Sequence, residues 1–395
     1  MRLAHLADLH LGFRQFDRQT ARGGNQREAD VAEAFRRAVD DLLDQRPDLI
    51  VLAGDIFHSV RPTNAAILFF FQQLQRIRVG LPETAVVVIA GDHDTPRSSE
   101  TGTILRLYEA LGVEIAVDVP RRIVFPKLDC AVLAVPHQAV AREDRPALRP
   151  ESGGPTLNVL VTHGHPPGLG EERGTLEYGG ALLPREALAP EKWDYVALGH
   201  YHSALSIATN AWYSGSLEYL PPNPWGQQGD EAEQRRVGKG YLLVELPGAR
   251  VTFRPVAPSR RHIDLPPIRG AGLSAKELDA QIAERVSGAK PAIDDQVVRL
   301  LVWDVARATA RDLDHAAIRG YKARALNFQL DLRRPLETRR EPGMGGGATG
   351  RKQTLAEIAR EFLGRRPLDA ELNREEFVRL GLEYLEAVGH AEEQR

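Results

Sequence analysis

The 395 residues of this chain carry a net charge of −3 and are 43% apolar, so we expect a globular protein with two or three domains. No apolar run reaches the length of a membrane helix, and the first predicted strand starts so close to Met1 that we expect no signal peptide. The single cysteine, Cys130, excludes a disulfide framework and is typical of a reducing cytoplasm. The balanced charge leaves the substrate class open.

Short apolar strands alternate with helical patterns through the first part of the chain. Six strands are predicted there, at Leu3–Ala7, Leu49–Ala53, Val86–Ala90, Ala131–Val135, Leu157–Thr162 and Tyr195–Leu198. Between the first two strands, apolar residues recur at helical spacing over Arg27–Asp44. This alternation predicts an α/β domain over residues 1–257, with polar loops after the strand ends, where such folds bind ligands.

A different pattern begins at residue 258. Strand-like segments at His262–Leu265, Gln296–Val305 and Ala325–Leu332 alternate with helical segments, the first of which opens on a capping box formed by Ser274 and Glu277. Residues 258–335 are therefore predicted to form a small α+β domain.

The C-terminal part of the chain contains a predicted linker and two predicted helices. Residues 336–351 are rich in glycine, which indicates a flexible linker, and residues 352–395 contain two short amphipathic helices. Such helices are marginal when isolated in water. We therefore expect the pair to dock on a partner protein or to fold back onto its own chain.

Aspartate and histidine side chains follow five of the predicted strands. The segments are Asp8-Leu9-His10, Gly54-Asp55-Ile56-Phe57-His58, Gly91-Asp92-His93-Asp94, Thr162-His163-Gly164-His165 and Gly199-His200-Tyr201-His202. Residues two apart at the end of a strand can point to the same side, so two of these segments can each offer both side chains to one site. Packing alone is a poor explanation, because buried charges and imidazoles without partners cost roughly a few kcal/mol each.

Divalent metal ions would compensate these buried groups. A mixture of carboxylates and imidazoles without thiolates favours manganese, iron or zinc over calcium. The segments supply more donors than one ion can bind. Two ions about 3.5–4 Å apart can support an in-line displacement at phosphorus, so the pattern predicts a two-metal phosphodiesterase.

The order of these motifs resembles that of the metallophosphoesterase superfamily. Ala7–Gly12 followed by Arg14–Phe16, and Gly54–Ser59 followed by Arg61–Thr63, are similar to the SbcD-type DNA-repair nucleases. These enzymes are the bacterial counterparts of the archaeal and eukaryotic meiotic-recombination nuclease. The resemblance implies an α/β fold with a metallophosphoesterase β-sandwich flanked by helices, a small α+β capping domain that contacts DNA, and a C-terminal helical pair.

The resemblance also implies an activity and a set of site residues. The activity is that of a manganese-dependent 3′–5′ exonuclease and single-strand endonuclease in DNA double-strand-break repair. The implied metal ligands are Asp8, His10 and His202 for one ion, Asp92, His163 and His200 for the other, and Asp55 bridging both. His163 is preferred over His165 because it directly follows its strand.

Three further residues are expected to act on the substrate. The resemblance implies that His93 stabilises the transition state or protonates the leaving oxygen, and that Asp94 orients the His93 imidazole. His58 is expected to touch the scissile phosphate.

DNA contacts and partners follow from the same resemblance. Candidate DNA contacts on loops near the ligands, which could equally be solvated surface, are Arg14, Gln15, Phe16, Arg61 and Arg97. A helix that is apolar almost all round at Ala65–Phe71 is either fully buried or, as the family implies, part of a homodimer interface formed by helices near 65–76 and 103–111. Residues 352–395 resemble the docking element for an SbcC-type ATPase of the structural-maintenance-of-chromosomes (SMC) kind, and we expect a nucleoid-associated cytoplasmic protein.

Asp92 departs from the family pattern, which has asparagine at this position. The additional negative charge should strengthen metal binding while reducing the Lewis acidity of the metals. Two alternatives therefore stand beside the nuclease: a metal-binding DNA-end scaffold whose nuclease is weakened by Asp92, and a small-molecule phosphodiesterase.

Overall fold

The computed structural model describes residues 1–96, 102–170, 174–176, 179–236, 238–335, 359–360, 362–363 and 373–382. They belong to two compact units, Met1–Pro335 and Leu336–Arg395. The strands of the described residues are Arg2–Leu6 (β1), Leu49–Ala53 (β2), Ala85–Ile89 (β3), Glu114–Ala116 (β4), Arg121–Phe125 (β5), Cys130–Val135 (β6), Leu157–His163 (β7), Tyr195–Gly199 (β8), Leu205–Ala208 (β9), Ala211–Tyr213 (β10), Gly240–Glu245 (β11), Arg250–Pro255 (β12), His262–Arg269 (β13), Val297–Trp303 (β14) and Asn327–Leu332 (β15).

The α-helices of the first unit are Gln26–Gln45 (α1), Asn64–Gly80 (α2), His137–Val140 (α3), Arg185–Leu188 (α4), Pro224–Glu233 (α5), Ala275–Ser287 (α6), Arg307–Arg311 (α7) and His315–Arg324 (α8). Short 3₁₀ helices cover Ile104–Leu111, Pro126–Leu128 and Pro190–Lys192. No helix in the described residues is both long and apolar enough to cross a membrane.

Two six-stranded mixed sheets form the body of the first unit. Their strand orders are β12-β11-β1-β2-β3-β4 and β5-β6-β7-β8-β10-β9. In each sheet the central strands run parallel, from β1 to β4 in the first sheet and through β6, β7, β8 and β10 in the second. Parallel strands end at a common sheet edge. The polar segments that follow β1, β2, β3, β7 and β8 are brought together in this way.

The strands have nearly continuous apolar sequences because both faces of each sheet are covered. Leu3, Val51 and Val159 belong to the apolar layer between the two sheets. Leu52 and Val88 face the opposite way, in a second cluster that includes residues of α1 and α2. The six predicted strands, the sheets and the mixed α/β fold class are confirmed.

Helices α1 and α2 cover the outer face of the first sheet. The four apolar residues at helical spacing in α1, Val31, Phe35, Val39 and Leu42, are all at most 2% exposed, and the helix begins at Asn25, whose side chain accepts hydrogen bonds from two backbone N–H groups of the first turn. Helix α2 is not fully buried, because Leu68 is 57% exposed.

Residues 262–332 form a parallel three-stranded sheet, β13-β14-β15, with its own apolar cluster. The predicted capping box of Ser274 and Glu277 starts α6. The three predicted strands are present, and two helices, α7 and α8, occupy the segment between the last two of them.

Buried charges join residues 262–332, which we call the three-stranded module, to the two six-stranded sheets of the body. Arg27 is fully buried and lies 3.3 Å from Glu218 and 3.4 Å from Asp30. Arg260, at the entry to the module, makes a 3.0 Å ion pair with the same Asp30 and donates to the backbone oxygen of Asp295. The carboxylate of Asp30 therefore contacts an arginine from each side of the junction.

In the second unit, residues 359–360, 362–363 and 374–382 are helical. The side chain of Asn373 accepts hydrogen bonds from the N–H groups of Glu375 and Glu376, as a helix N-cap does. The predicted linker and the remaining parts of the two predicted helices lie outside the described residues.

Candidate metal centre

Backbone hydrogen bonds place the first two polar segments side by side. The N–H of Asp8 donates to the carbonyl of Gly54 at 3.0 Å, and that of His10 to the carbonyl of Asp55 at 2.9 Å. The loop after β1 thus continues the pairing of β1 with β2 beyond the sheet. All the side chains at this edge that were predicted as metal ligands are at least half-buried.

The predicted ligands converge in two groups, each with ligand atoms within 4.8 Å of one another. The groups are Asp8, His10 and His202, and Asp55, Asp92, His163 and His200; His10 also forms a third such group with His58 and His93. In the first group, Nε2 of His10 lies 3.2 Å from Nε2 of His202. In the second, Oδ1 of Asp92 lies 2.9 Å from Nε2 of His163 and 3.0 Å from Nδ1 of His200.

Asp55 lies between the two groups. Its Oδ2 atom is 3.5 Å from Nε2 of His10 and 3.5 Å from Nε2 of His163. Its other oxygen, Oδ1, accepts a 3.0 Å hydrogen bond from the N–H of His93. One oxygen of this carboxylate is thus anchored by the backbone, while the other points between the two sets of imidazoles.

The donor set fits two divalent metal ions. Oδ2 of Asp8 and Oδ2 of Asp55 are buried without a hydrogen-bond partner among the described residues. Two donors about 2.1 Å from one ion, at an angle near 100°, lie about 3.2 Å apart, which is the spacing found between His10 and His202. Buried oxygens and nitrogens arranged in this way are costly without a cation and favourable with one.

Four of these side chains are attached to strained backbone. Asp8, His10, Asp55 and His200 have φ values of 54°, 46°, 53° and 99°. Side chains other than glycine rarely adopt positive φ, and such residues concentrate at functional sites, where the surrounding structure holds them. The positive φ values orient these side chains toward the common centre of the site.

Two glycines allow the backbone to pack closely against ligand side chains of the site. A Cβ atom at Gly91 would overlap Oδ1 of Asp55, and one at Gly180 would overlap Nε2 of His200. The backbone therefore approaches these two side chains more closely than any larger residue would allow.

Negative charge accumulates at the centre. Burial and the neighbouring Asp55 raise the pKa of Asp8 to about 7, and His163 acts in the opposite sense. Burial opposes charge on Asp92 as well, but hydrogen bonds from His163 and His200 hold the pKa of Asp92 below its ordinary value. Divalent cations would offset the repulsion between these carboxylates.

His163 is the histidine of its segment that joins a ligand group. Its Nδ1 atom contacts the carbonyl oxygen of Ala53 at 2.8 Å, so a proton on Nδ1 leaves Nε2 as the donor atom facing Asp92. The ring of His165 stacks on that of His200 with centroids 5.1 Å apart, and His165 belongs to neither group.

His58 and His93 lie beside the first group. Their rings stack with centroids 5.1 Å apart, and Nδ1 of His58 is 3.2 Å from Nδ1 of His10. Nδ1 of His93 contacts the backbone oxygen of His58 at 2.8 Å, while its Nε2 lies 4.0 Å from Oδ2 of Asp92. His93 is about one-fifth exposed and lines a cavity of about 550 Å³.

The contacts of Asp94 run mainly to the backbone. Its oxygens accept hydrogen bonds from the backbone N–H groups of Ile56, Phe57 and Gly91, and the carbonyl oxygen of His58 is one partner of the His93 ring. Asp94 ties the loop after β3 to the loop after β2. It therefore acts on the backbone that presents Asp55 and His93.

The residues matched by the calcineurin-like phosphoesterase family are 1–204, which include both ligand groups and more than half of the chain. The chain belongs to the calcineurin-like phosphoesterase family. Both ligand groups, with Asp55 between them, lie in the matched part of this phosphoesterase.

Several proteins called DNA double-strand break repair protein Mre11 are similar to this phosphoesterase. That of Sulfurisphaera tokodaii is 26% identical over 64% of the chain and 62% of its own length. That of Methanocaldococcus jannaschii is 24% identical over 63% of each, and that of Haloferax volcanii is 24% identical over 85% of the chain and 81% of its own length. The chain thus spans less than two thirds of the first two relatives.

The candidate DNA-contacting residues of the phosphoesterase are distributed on two neighbouring loops. Arg14 is exposed but pairs with Glu28 at 2.6 Å, and Glu28 also accepts from the hydroxyl of Thr63 at 2.7 Å. This carboxylate links the loop of Gln15 and Phe16, which are both half-buried, to the loop of the exposed Arg61. Arg97 lies outside the described residues.

Sequence reasoning missed one histidine at the same sheet edge. His137 is 9% exposed and its ring lies 6.3 Å from that of His163, centroid to centroid. The signal that could have found it is its position directly after the predicted strand Ala131–Val135, where one polar side chain follows a proline.

Proposed function

We propose that the chain is a two-metal DNA nuclease of double-strand-break repair, with 3′–5′ exonuclease and single-strand endonuclease activity. The observation that carries this proposal is the pair of ligand groups that share Asp55, with His93 lining a cavity beside them. The names of the similar archaeal proteins support DNA as the substrate.

The ligand groups define how the ions would be held. Asp8, His10 and His202 would hold one, Asp92, His163 and His200 would hold the other, and Asp55 would contribute to both. Bound divalent ions, which we propose are Mn²⁺, would supply water activation and charge neutralisation at phosphorus. Imidazole and carboxylate donors suit several transition metals. The cleavage assay should therefore compare divalent metals as well as measure activity.

The chain's own residues would bind and orient the phosphodiester. His93 is held by its Nδ1 contact with the His58 carbonyl, so that Nε2 stabilises the charge developing at phosphorus or gives a proton to the leaving oxygen. His58, stacked on His93, contacts the scissile phosphate. Asp94 positions both through the backbone. No covalent bond between protein and substrate is needed.

The remaining DNA would lie over the loops and the module next to this site. Arg14, Gln15, Phe16, Arg61 and Arg97 contact the backbone of the strand. Residues 258–335 form a capping domain that also contacts DNA, held to the nuclease domain, residues 1–257, by Asp30 and its two arginines.

The test is digestion of end-labelled duplex and single-stranded DNA by the purified chain with Mn²⁺, with and without a chelator. We expect metal-dependent shortening of both substrates from the 3′ end. The small-molecule phosphodiesterase is the alternative if bis-p-nitrophenyl phosphate is hydrolysed while both DNA substrates stay intact.

The negative charge of Asp92 favours a second candidate function, that of a DNA-end scaffold with a weakened nuclease. Its Oδ1 contacts two imidazoles of the second group, so its charge acts directly on that ion. We expect Asp92→Asn to weaken metal binding and to raise the cleavage rate of the loaded protein roughly tenfold, about 1.4 kcal/mol in the barrier. Titration with Mn²⁺ followed by single-turnover cleavage measures both; equal rates would contradict the charge argument.

The exposed apolar residues of α2 and of the neighbouring 3₁₀ helix support a homodimer. Leu68 and Leu107 are 57% and 58% exposed, and the Tyr108 hydroxyl donates to the backbone oxygen of Ile67, which ties the two helices together. We expect Leu68→Glu to convert a dimer to a monomer in sedimentation velocity, with Val79→Glu, at a 77% exposed site near the end of α2, as control. A wild-type monomer would contradict this interface.

Residues 352–395, joined by the linker 336–351, are proposed to dock on an SbcC-type SMC-like ATPase, placing the protein on the nucleoid in the cytoplasm. Phe362 and Leu380 are 62% and 51% exposed. Phe362→Glu should abolish co-purification with the ATPase while leaving DNA cleavage by the free chain unchanged. Retained co-purification would exclude this segment as the docking element.

A further inference from the structure

His137 occupies the edge of the sheets at which the ligand groups converge. It follows β6 directly, and its N–H donates to the carbonyl oxygen of Ala90 at 2.9 Å. This hydrogen bond ties the end of β6 to the end of β3, immediately before Gly91 and Asp92. The backbone therefore fixes His137 beside the second ligand group.

The His137 side chain has features that packing alone does not explain. It is nine-tenths buried, and its Nδ1 atom has no hydrogen-bond partner among the described residues. Its ring lies nearly perpendicular to that of His163, at 80°, but His137 belongs to neither ligand group. A buried ring nitrogen without a partner is unfavourable, and because Nδ1 is closed to solvent, a ligand would meet the part of the ring that stays exposed.

His137 also lines the cavity that contains His93. This cavity of about 550 Å³ is bordered by Ser59, Val60, Asp92, His93, Thr95, Pro96, His137 and Gly179. Val60 and Pro96 provide apolar surface, while Ser59, Thr95 and His137 provide hydrogen-bonding groups. Apolar walls with a few polar groups are typical of pockets that bind small, partly polar ring systems.

We propose that this cavity is a nucleoside subsite, in which the nucleoside next to the scissile phosphate binds and His137 hydrogen-bonds to it. This inference builds on the proposed nuclease function and gives His137 a role in substrate binding that differs from those of His93 and the metal ligands. A neutral imidazole can serve as donor or acceptor to a sugar hydroxyl or a base. The subsite distinguishes nucleotide substrates from phosphodiesters that lack a nucleoside.

Binding of thymidine 5′-monophosphate and of inorganic phosphate in the presence of Mn²⁺, measured by calorimetry, tests the subsite without requiring cleavage. We expect His137→Ala to weaken binding of thymidine monophosphate roughly three- to tenfold, as one neutral hydrogen bond predicts, and to leave phosphate binding unchanged. His137→Gln should restore part of the affinity. Lys127→Ala, which removes an exposed side chain that pairs with Glu83, is the control.

Two outcomes would overturn the subsite: unchanged affinity for thymidine monophosphate in His137→Ala, or an equal loss for both ligands, which would mean that His137 only supports the metal centre. Failure of the nuclease proposal is recognised separately, because it appears as intact labelled DNA whatever the binding result. Manganese content, measured in all variants, verifies that the comparison is made at equal metal loading.

Discussion

Replacement of Asp55 by alanine will remove both metal ions from the chain and abolish cleavage of labelled DNA. Oδ2 of Asp55 is equally distant from a nitrogen of His10 and a nitrogen of His163, so one substitution removes a ligand from each group. Loss of a group that merely supports a ligand lowers metal affinity about 10- to 100-fold, and loss of the shared ligand should exceed this.

Metal content and thermal unfolding measure the Asp55→Ala effect. Mn²⁺ should raise the unfolding temperature of the wild-type chain, because an ion that binds only the folded state stabilises it, and this rise should vanish in the variant. Glu83→Ala removes a carboxylate that is mostly exposed and pairs with Lys127, and should behave as wild type. Two ions per chain in Asp55→Ala would contradict the bridging role.

The second large effect is expected for His93→Gln, which should lose cleavage about 10²- to 10⁴-fold while keeping both metals. The groups that contain the predicted ligands do not include His93, which forms a further group only with His10 and His58, and its backbone N–H, which holds Asp55 in place, remains in the variant. The measurement is the rate of manganese-dependent digestion together with metal content.

Lys127→Gln is the control for His93→Gln, because Lys127 is an exposed side chain that belongs to none of the groups described above. A variant of His93 that cleaves at the wild-type rate would remove this residue from the reaction. A variant that loses its metals would show that His93 acts through Asp55 and not on the substrate.

Much of the site was predictable because the sequence indicates where the strands end. Apolar runs ending in aspartate or histidine marked β1, β2, β3, β7 and β8, and parallel pairing brought these ends together. The orientation of the side chains was not predictable, because it depends on positive φ at residues such as Asp8 and His200. Nothing in the residue types alone distinguishes a strained aspartate from a relaxed one.

Contacts between distant parts of the chain account for the other differences. Arg27 lies at the start of an amphipathic helix, where arginine is usually solvated, but Glu218 and the backbone oxygen of Tyr219, each about 190 residues away, bury it completely. The resemblance assigned Asp94 to the His93 imidazole, and residue types could not show that the oxygens of Asp94 also accept hydrogen bonds from the backbone N–H groups of Ile56 and Phe57.

The ion pairs at Asp30 limit which three-stranded modules can be combined with which bodies among related proteins. Asp30 contributes its carboxylate to Arg27 on one side and to Arg260 on the other, and removing one member of a buried ion pair costs about 3–5 kcal/mol. A module transplanted between relatives without a matching arginine would leave Arg27 alone to balance the carboxylates of Asp30 and Glu218. Body and module should therefore be exchangeable only as a matched set, and Asp30 and Arg260 should change together among related proteins.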